Sequence, residues 1–186
     1  MQIPNIVVMG VAGCGKSSLG QLLAWQLAAR FIEGDSYHPP ANIDRMSAGI
    51  ALTDSDRAEW LTGLSQQLAE GRARGERLVL ACSALKRRYR DLLRQGDPTL
   101  LFVHLAGSRA LIAARMAARQ QHFMPTSLLD SQFRDLEPPG PDERAIHCDV
   151  SQPPPVLAQQ VLDWLAQVDR PAAADSRLGA DGGAAV

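Results

Sequence analysis

The chain contains 186 residues, of which 46% are hydrophobic and 21% charged, and its formal net charge is −1. This length and composition are those of one ordinary globular domain, and the balanced charge excludes the overall basic field that gathers nucleic acid or an anionic membrane. No apolar run approaches the ~20 residues needed to span a bilayer.

Cysteine usage and the N-terminal residues indicate the compartment. The three cysteines, Cys14, Cys82 and Cys148, are widely spaced and odd in number, which fits neither a disulfide framework nor a zinc site. The first ten residues, MQIPNIVVMG, lack the basic and long apolar regions of a signal peptide. We therefore expect a reduced, cytoplasmic protein.

Short apolar strands alternate with amphipathic helices along most of the chain. The strands are predicted at residues 5–10, 31–33, 77–82, 100–105 and 145–150. Helices are predicted at residues 16–30, 41–48, 54–71, 86–94, 108–119, 126–136 and 155–168, with Asp54 or Ser55 capping the third. This alternation predicts parallel βαβ units in one three-layer α/β domain, residues 1–169. Residues 170–186 are small and poor in large apolar groups, and we predict a disordered tail there.

The first strand leads into a phosphate-binding loop. Gly10-Val11-Ala12-Gly13-Cys14-Gly15-Lys16-Ser17 matches G-x-x-x-x-G-K-[ST] and lies between an apolar strand and a helix, the context that this pattern requires. Its glycines let successive backbone N–H groups converge on an anion, and the helix N-terminus adds positive charge. We expect Lys16 to reach the β- and γ-phosphates of ATP and the Ser17 hydroxyl to bind Mg²⁺. Ser18 is assigned to the same ATP site.

Cys14 lies at the crest of this loop, close to a helix N-terminus, where the pKa of a thiol can be lowered. Two interpretations are open from the sequence. Cys14 is either a reactive thiol whose alkylation inhibits, or a small side chain that points away from the phosphates.

The end of the second strand offers carboxylates to a phosphoryl acceptor. Glu33-Gly34-Asp35 lies at the carboxyl edge of the predicted sheet, beside the phosphate loop, where ligands of open α/β sheets bind. Asp35 can accept the proton that an acceptor hydroxyl loses, or it is only a turn residue. The third strand ends without the usual Walker B aspartate, which argues against a GTPase or a motor ATPase. Metal support then falls to Ser17 and, through water, to Glu33 or Asp35.

Further motifs follow in one order along the chain. They are Glu33-Gly34-Asp35-Ser36-Tyr37-His38-Pro39, Asp54-Ser55-Asp56-Arg57, Cys82-Ser83-Ala84-Leu85-Lys86 with Tyr89-Arg90, His122-Phe123-Met124-Pro125, Ser131-Gln132-Phe133 and Asp142-Glu143-Arg144. With these motifs the chain resembles the gluconokinases from about residue 5 to residue 168. The resemblance implies a P-loop kinase sheet of strand order 2-3-1-4-5 and usually a homodimer. It also implies transfer of the γ-phosphate of ATP to the 6-hydroxyl of D-gluconate.

An acidic sugar as acceptor agrees with the side chains expected at this sheet edge. Gluconate carries a carboxylate and a row of hydroxyls, so its site needs cations and polar partners. We assign substrate contacts to Asp35, His38, Arg45, Lys86, Arg90 and Gln132. For Arg45 and Arg90 the alternative is a solvated helix face with weak ion pairs. Trp60 is assigned to the core, without a chemical role.

A lid over ATP is expected at about residues 115–130. Arg115 and Arg119 are spaced i, i+4, so they share a helix face that leads to the break at His122-Phe123-Met124-Pro125. The resemblance implies that this lid closes with its arginines toward adenine and the phosphates. Since phosphoryl transfer depends on positioning, charge stabilisation and exclusion of water, Arg119 is assigned a catalytic role with Lys16 and Asp35. The alternative is an exposed amphipathic helix.

Two rival functions are weighed against this one. A shikimate kinase of the same fold would be expected to show Asp-x-Asp after the second strand and Gly-Gly-Gly after the third. This chain has Glu33-Gly34-Asp35 and Ser83-Ala84-Leu85 at those places. A nucleotide switch without turnover would need an Asn-Lys-x-Asp signature and a Walker B acid, and the sequence contains neither.

Overall fold

Five short parallel strands form one sheet in the order β2-β3-β1-β4-β5. The computed structural model describes residues 4–118 and 127–168, and the predicted tail, Arg119 and the His122–Pro125 break lie outside them. The strands are β1 (Ile6–Met9), β2 (Arg30–Glu33), β3 (Leu78–Ala81), β4 (Leu101–Ala106) and β5 (Ala145–Asp149). The predicted P-loop kinase sheet and its strand order are confirmed.

Helices cover both faces of the sheet. They are α1 (Lys16–Gln26), α2 (Pro40–Ser47), α3 (Asp54–Ala73), α4 (Arg87–Gly96), α5 (Arg109–Ala117), α6 (Ser127–Asp135) and α7 (Pro154–Val168). The prediction that the first helix continues to residue 30 is wrong. Ala28 takes a left-handed φ of 48°, and the Ala29 N–H donates back to the Ala24 carbonyl at 2.8 Å. That turn ends α1 and lets β2 begin at Arg30.

The N-cap of helix α3 is Thr53, one residue before Asp54, the nearer of the two predicted caps. The Thr53 hydroxyl accepts the Asp56 N–H at 3.2 Å, and the Asp56 carboxylate accepts the Thr53 N–H at 2.7 Å. This reciprocal arrangement is a capping box, which satisfies two N–H groups at the helix start. Neither Asp54 nor Ser55 therefore serves as the cap.

Each face of the sheet buries its own apolar core. On β1, Ile6 and Val8 pack with residues of α1, α5 and α7, whereas Val7 and Met9 pack with residues of α3 and α4. This alternation follows from the two-residue period of a strand, and it makes β1 apolar on both sides. In the described part of the chain no helix combines the length and apolar character that crossing a membrane requires.

The carboxyl ends of β1, β2 and β3 meet at one edge. The Gly10 N–H donates to the Ser83 carbonyl at 3.3 Å, which ties the loop after β1 to the segment after β3. A Cβ at Gly34 would lie 2.4 Å from the Ala81 carbonyl oxygen, so only glycine allows β2 to leave the sheet this close to β3. The phosphate loop and Asp35 are thereby brought to a common cleft.

Candidate active site

The phosphate loop depends on glycines for its shape. Gly13 and Gly15 have left-handed φ values of 77° and 102°. A Cβ at Gly13 would also lie 2.4 Å from the Met116 side chain, so both conformation and packing require glycine there. Gly15 caps α1 without a side-chain hydrogen bond, which leaves the first N–H groups of the helix for an anion.

A cleft opens between this loop, the 34–37 turn and α3. Of the predicted site residues it brings together Ala12, Gly13, Gly15, Lys16, Ser17, Ser18, Asp35, His38 and Gln132. Arg57 and Trp60 also line it, although neither was predicted to. Glu33, the alternative metal residue, is not among the lining side chains, whereas Asp35 is. The cleft therefore joins the phosphate loop to a carboxylate and a cation.

Two of these side chains contact the loop itself. The Lys16 ammonium donates to the Val11 carbonyl at 3.0 Å. The Gln132 side-chain oxygen accepts the Ala12 N–H at 2.6 Å. Gln132, predicted as a substrate ligand, thus reaches the phosphate loop from α6.

His38 and Trp60 form one wall of the cleft. Their rings are stacked with centroids 4.0 Å apart and planes 18° apart, and the Trp60 indole N–H donates to the Gly34 carbonyl at 2.7 Å. Trp60 is therefore a site residue as well as a core residue. Burial lowers the pKa of His38 to about 4, with Arg57 adding to the effect and Asp35 opposing it. A neutral imidazole results at pH 7, suited to a hydroxyl rather than to a carboxylate.

Arg57 is the buried cation of the cleft. Its guanidinium donates to the Leu52 carbonyl at 2.7 Å and to the Tyr89 hydroxyl at 3.3 Å, and it lies 3.9 Å from the Asp135 carboxylate. The sequence contains an indication that Arg57 is buried. Arg57 shares the helical spacing of Trp60 and the leucines that follow it, so it is a charge on the buried face of α3.

Lys86 and Arg45 lie outside the cleft lining. The Lys86 ammonium is 3.1 Å from Asp54 and 3.3 Å from Asp135. Burial tends to lower the pKa of Lys86, but its hydrogen bonds to these two carboxylates outweigh this effect and raise the pKa. Arg45 lies 3.7 Å from Asp56 with 42% of its side chain exposed. Both side chains thus have carboxylate partners within the protein.

The prediction that Arg90 contacts substrate is wrong. Its side chain is fully buried and donates twice to the Glu143 carboxylate, each time at 2.7 Å. The same guanidinium donates to the Ala84 and Leu85 carbonyls at 3.1 and 3.2 Å. Because no part of it reaches the surface, Arg90 supports the turn after β3 instead of binding a ligand.

A second cleft of about 510 Å³ lies on the other side of the phosphate loop. It is bounded by Arg115, by Leu105 and by the 150–154 segment after β5. Arg115 donates to the Val150 carbonyl at 2.6 Å. Cys14 also lines this cleft, but it is only 2% exposed, and burial raises the pKa of its thiol although Lys16 opposes this. These features favour the unreactive interpretation of Cys14.

The chain is similar to known kinases in sequence and in structure. A sequence model of the family described as Shikimate kinase matches residues 12–163. The gluconokinase of Gluconobacter oxydans is 46% identical over 157 residues, covering 84% of this chain and 88% of the relative. The crystal structure of a sugar kinase from Janibacter sp. has a TM-score of 0.85 at 44% identity, covering 88% of this chain and 94% of that one. A gluconokinase structure from Sinorhizobium meliloti has a TM-score of 0.81 at 48% identity, covering 89% and 93%.

Identity of this level over most of both chains shows common descent with the gluconokinases, and the five-stranded parallel sheet shows the same architecture. The phosphate loop, with its glycines, lysine and serine, is the part of that architecture which handles a nucleotide. The chain therefore belongs to the gluconokinase family, kinases that transfer phosphate to a hydroxyl on a P-loop fold.

Proposed function

We propose that the protein transfers the γ-phosphate of ATP to the 6-hydroxyl of D-gluconate, giving 6-phospho-D-gluconate and ADP. The observation that carries this proposal is the cleft in which Lys16 and Ser17 of the phosphate loop face Asp35 and Arg57. The Asp35 carboxylate suits an acceptor with a hydroxyl group, and the buried Arg57 guanidinium suits an acceptor that is also an acid. The relatives named as gluconokinases supply the identity of that acid.

The loop residues fit the phosphates of ATP. The first N–H groups of α1, which no cap side chain binds in the described part of the chain, and the glycine turn before them form a positive cradle. The Lys16 ammonium donates to the Val11 carbonyl of the same loop, and its other two N–H groups would bind phosphate oxygens. Arg115 and the 150–154 segment would receive the adenine side of the nucleotide in the second cleft.

Ser17 and Asp35 fit a Mg²⁺ ion because both are oxygen donors in the cleft of Lys16. Within residues 4–118 and 127–168 no cluster of three or more His, Cys, Asp or Glu side chains is arranged to hold a metal. An ion held mainly by Ser17, phosphate oxygens and water agrees with that. When bound, Mg²⁺ would neutralise charge on the phosphates.

Asp35 would orient the acceptor hydroxyl and take its proton. The hydroxyl oxygen forms the new bond to the γ-phosphorus while the bond to the bridging oxygen of ADP breaks. The proton of the hydroxyl is left over, and a carboxylate within hydrogen-bond reach can accept it. Asp35 lines the cleft and offers such a carboxylate.

Arg57 and His38 would hold the remainder of the acid. A guanidinium can bind a carboxylate through two parallel hydrogen bonds, and Arg57 is held rigidly by Leu52 and Tyr89. The neutral His38 ring can exchange hydrogen bonds with sugar hydroxyls, and its Nδ1 has no partner among the described residues. Arg57 thereby takes the role that the sequence assigned to Arg45, Lys86 and Arg90.

The remaining assignments complete the proposal. Residues 1–169 act as one kinase domain with a lid at about 115–130, and Arg119 of that lid stabilises charge on the transferring phosphoryl group. Residues 170–186 lie beyond this domain. The enzyme works in the cytoplasm as a homodimer.

A coupled assay of ADP release tests the acceptor. Gluconate with ATP and Mg²⁺ should support turnover, whereas shikimate, the substrate suggested by the matching family model, should not. Turnover with shikimate and none with gluconate would overturn the proposal. Identification of the product as the 6-phosphate by NMR of the purified compound fixes the site of transfer.

A further inference from the structure

The peptide unit between Val11 and Ala12 is held from both of its polar ends. Its carbonyl oxygen accepts the Lys16 ammonium at 3.0 Å. Its N–H donates to the Gln132 side-chain oxygen at 2.6 Å. One planar group of the phosphate loop therefore connects a residue of α1 with a residue of α6.

Anchoring one end of a peptide unit fixes the direction of the other. The C=O and N–H of a trans peptide are coplanar and point in opposite directions. While Gln132 holds the N–H, the Val11 carbonyl is directed toward the Lys16 ammonium. Without that acceptor the peptide would be free to rotate about its flanking bonds, and a carbonyl turned toward the phosphates would repel them.

The hydrogen bond also satisfies a buried backbone donor. Ala12 is 6% exposed and Gln132 is 9% exposed, so water has little access to this N–H. A buried N–H without a partner raises the free energy of the conformation that contains it. Loss of the Gln132 oxygen would therefore favour other conformations of the loop, in which this N–H is paired. The Gln132 oxygen is thus part of what keeps the unliganded loop in one arrangement.

The same face of α6 reaches the acceptor side of the cleft. Asp135 is three residues after Gln132, which places the two side chains on one face of the helix. Its carboxylate lies 3.9 Å from the guanidinium of Arg57 and 3.3 Å from the Lys86 ammonium. Helix α6 therefore contacts both the phosphate loop and the cation proposed to bind the acid.

We infer that Gln132 is a positioning residue for ATP, acting through the Val11–Ala12 peptide on Lys16, and not primarily a ligand of the acceptor. Its side-chain oxygen holds that peptide so that the carbonyl keeps the Lys16 ammonium beside the phosphate site. The inference deepens the proposed function, since it concerns the same phosphate loop. It does not depend on which acid is the acceptor.

The test is Gln132→Met, which is close in size and lacks the acceptor oxygen. The dissociation constant of ATP, measured by calorimetry without acceptor, should rise about 3- to 10-fold, the value expected for one hydrogen bond. The KM for gluconate should stay within about twofold. In 15N-labelled protein the Ala12 amide proton should move upfield and exchange faster with solvent than in the wild type.

Ser131→Ala is the matched control, because Ser131 lies on the same helix and its hydroxyl donates to the Leu128 carbonyl in its own turn. It should leave ATP affinity unchanged. A raised KM for gluconate with unchanged ATP affinity in Gln132→Met would overturn the inference and make Gln132 an acceptor ligand. An equal loss of ATP affinity in Gln132→Met and Ser131→Ala would also overturn the inference, because the loss would then come from a general disturbance of α6.

If Gln132→Met does not fold, hydrogen exchange in the wild-type protein still tests the inference. The Ala12 amide should be protected from exchange without ligand, and unprotected exchange at that amide would contradict the hydrogen bond on which the inference rests. A failure of ATP binding in the wild type itself would instead contradict the proposed function.

Discussion

Arg90 and Glu143 form a bidentate ion pair in the interior, with both hydrogen bonds at 2.7 Å and side chains that are 0% and 2% exposed. Burial raises the pKa of Glu143, but hydrogen bonds from Arg90 and Arg94 outweigh it and bring the value to about 2. The pair joins the turn after β3 to the segment before β5. Removal of one partner leaves an uncompensated buried charge.

Glu143→Gln should therefore destabilise the fold by about 3 kcal/mol, since it leaves Arg90 charged and buried. The neighbouring residue provides the control: Asp142 pairs with Arg87 on the surface. Asp142→Asn should leave the free energy of unfolding nearly unchanged, because exposed pairs contribute little. Urea unfolding at pH 7 compares the two, and equal stability of both variants would show that the buried pair is dispensable.

Asp35→Asn tests proton removal from the acceptor. If Asp35 takes the proton, kcat should fall by on the order of 10² to 10⁴ while ATP affinity stays the same. Asparagine keeps an oxygen that can orient a hydroxyl but not one that accepts a proton at neutral pH. Near-normal kcat in steady-state kinetics would therefore mean that Asp35 only orients the acceptor.

Arg57→Met tests the cation for the acid. We expect the KM for gluconate to rise by about 10- to 100-fold, as for the loss of hydrogen bonds to a charged group, with ATP affinity unchanged. Arg45→Met is the matched control, since Arg45 is more exposed and lies outside the cleft lining. A larger effect at Arg45 than at Arg57 would move the acid site toward α2.

Arg119→Ala tests the lid. Arginines supplied to a transferring phosphoryl group contribute on the order of 10³ in kcat or more, so kcat should fall far more than gluconate binding weakens. Arg109→Ala on α5 is the comparison, because Arg109 is exposed and pairs with Asp130 outside both clefts. An unchanged kcat for Arg119→Ala would make that arginine a surface residue.

Acid should weaken the fold through His104. This residue is 2% exposed on β4, and its Nδ1 lies 2.9 Å from the His147 Nδ1. Burial lowers the pKa of His104 to about 4, and the charges of His147 and Arg90 act in the same direction.

Between about pH 6.5 and 4 the unfolded chain therefore binds a proton that the folded chain does not. The free energy of unfolding should fall as the pH drops through this range. His104→Gln should reduce the fall, measured by urea unfolding at pH 7 and pH 5, whereas His147→Gln should change it less. A fall of the same size in His104→Gln would assign it to other groups, His38 among them.

The sequence predicted the fold well because the fold rests on local patterns. Short apolar runs between amphipathic helix patterns identified all five strands, and the glycine pattern located the phosphate loop. Lys16 and Asp35, two residues found correctly in the cleft, lie in or at the end of the short segments that follow β1 and β2. Their position is fixed by the sheet edge alone.

The errors concern residues whose surroundings are set by distant contacts. Arg90 pairs with a carboxylate 53 positions away, so its burial could not be read from its own helix. Arg57 and Trp60 reach the cleft only because α3 packs over it. The apolar helix face of Trp60 indicated core alone, whereas Arg57 was marked only by being a charge on that face. The end of α1 was misplaced because Ala28 adopts a left-handed turn without a glycine to mark it.

The stacking of Trp60 on His38 gives the protein an internal optical probe. Trp60 is 2% exposed and lies in the cleft, whereas Trp25 is 80% exposed at the end of α1. An acceptor that hydrogen-bonds to His38 would change the surroundings of the Trp60 indole and leave Trp25 in water. Trp164 on α7 packs against the core on the other face of the sheet and adds constant emission. A change in emission on addition of gluconate can then report occupancy of the acid site without a coupled enzyme or a label, and separately from turnover.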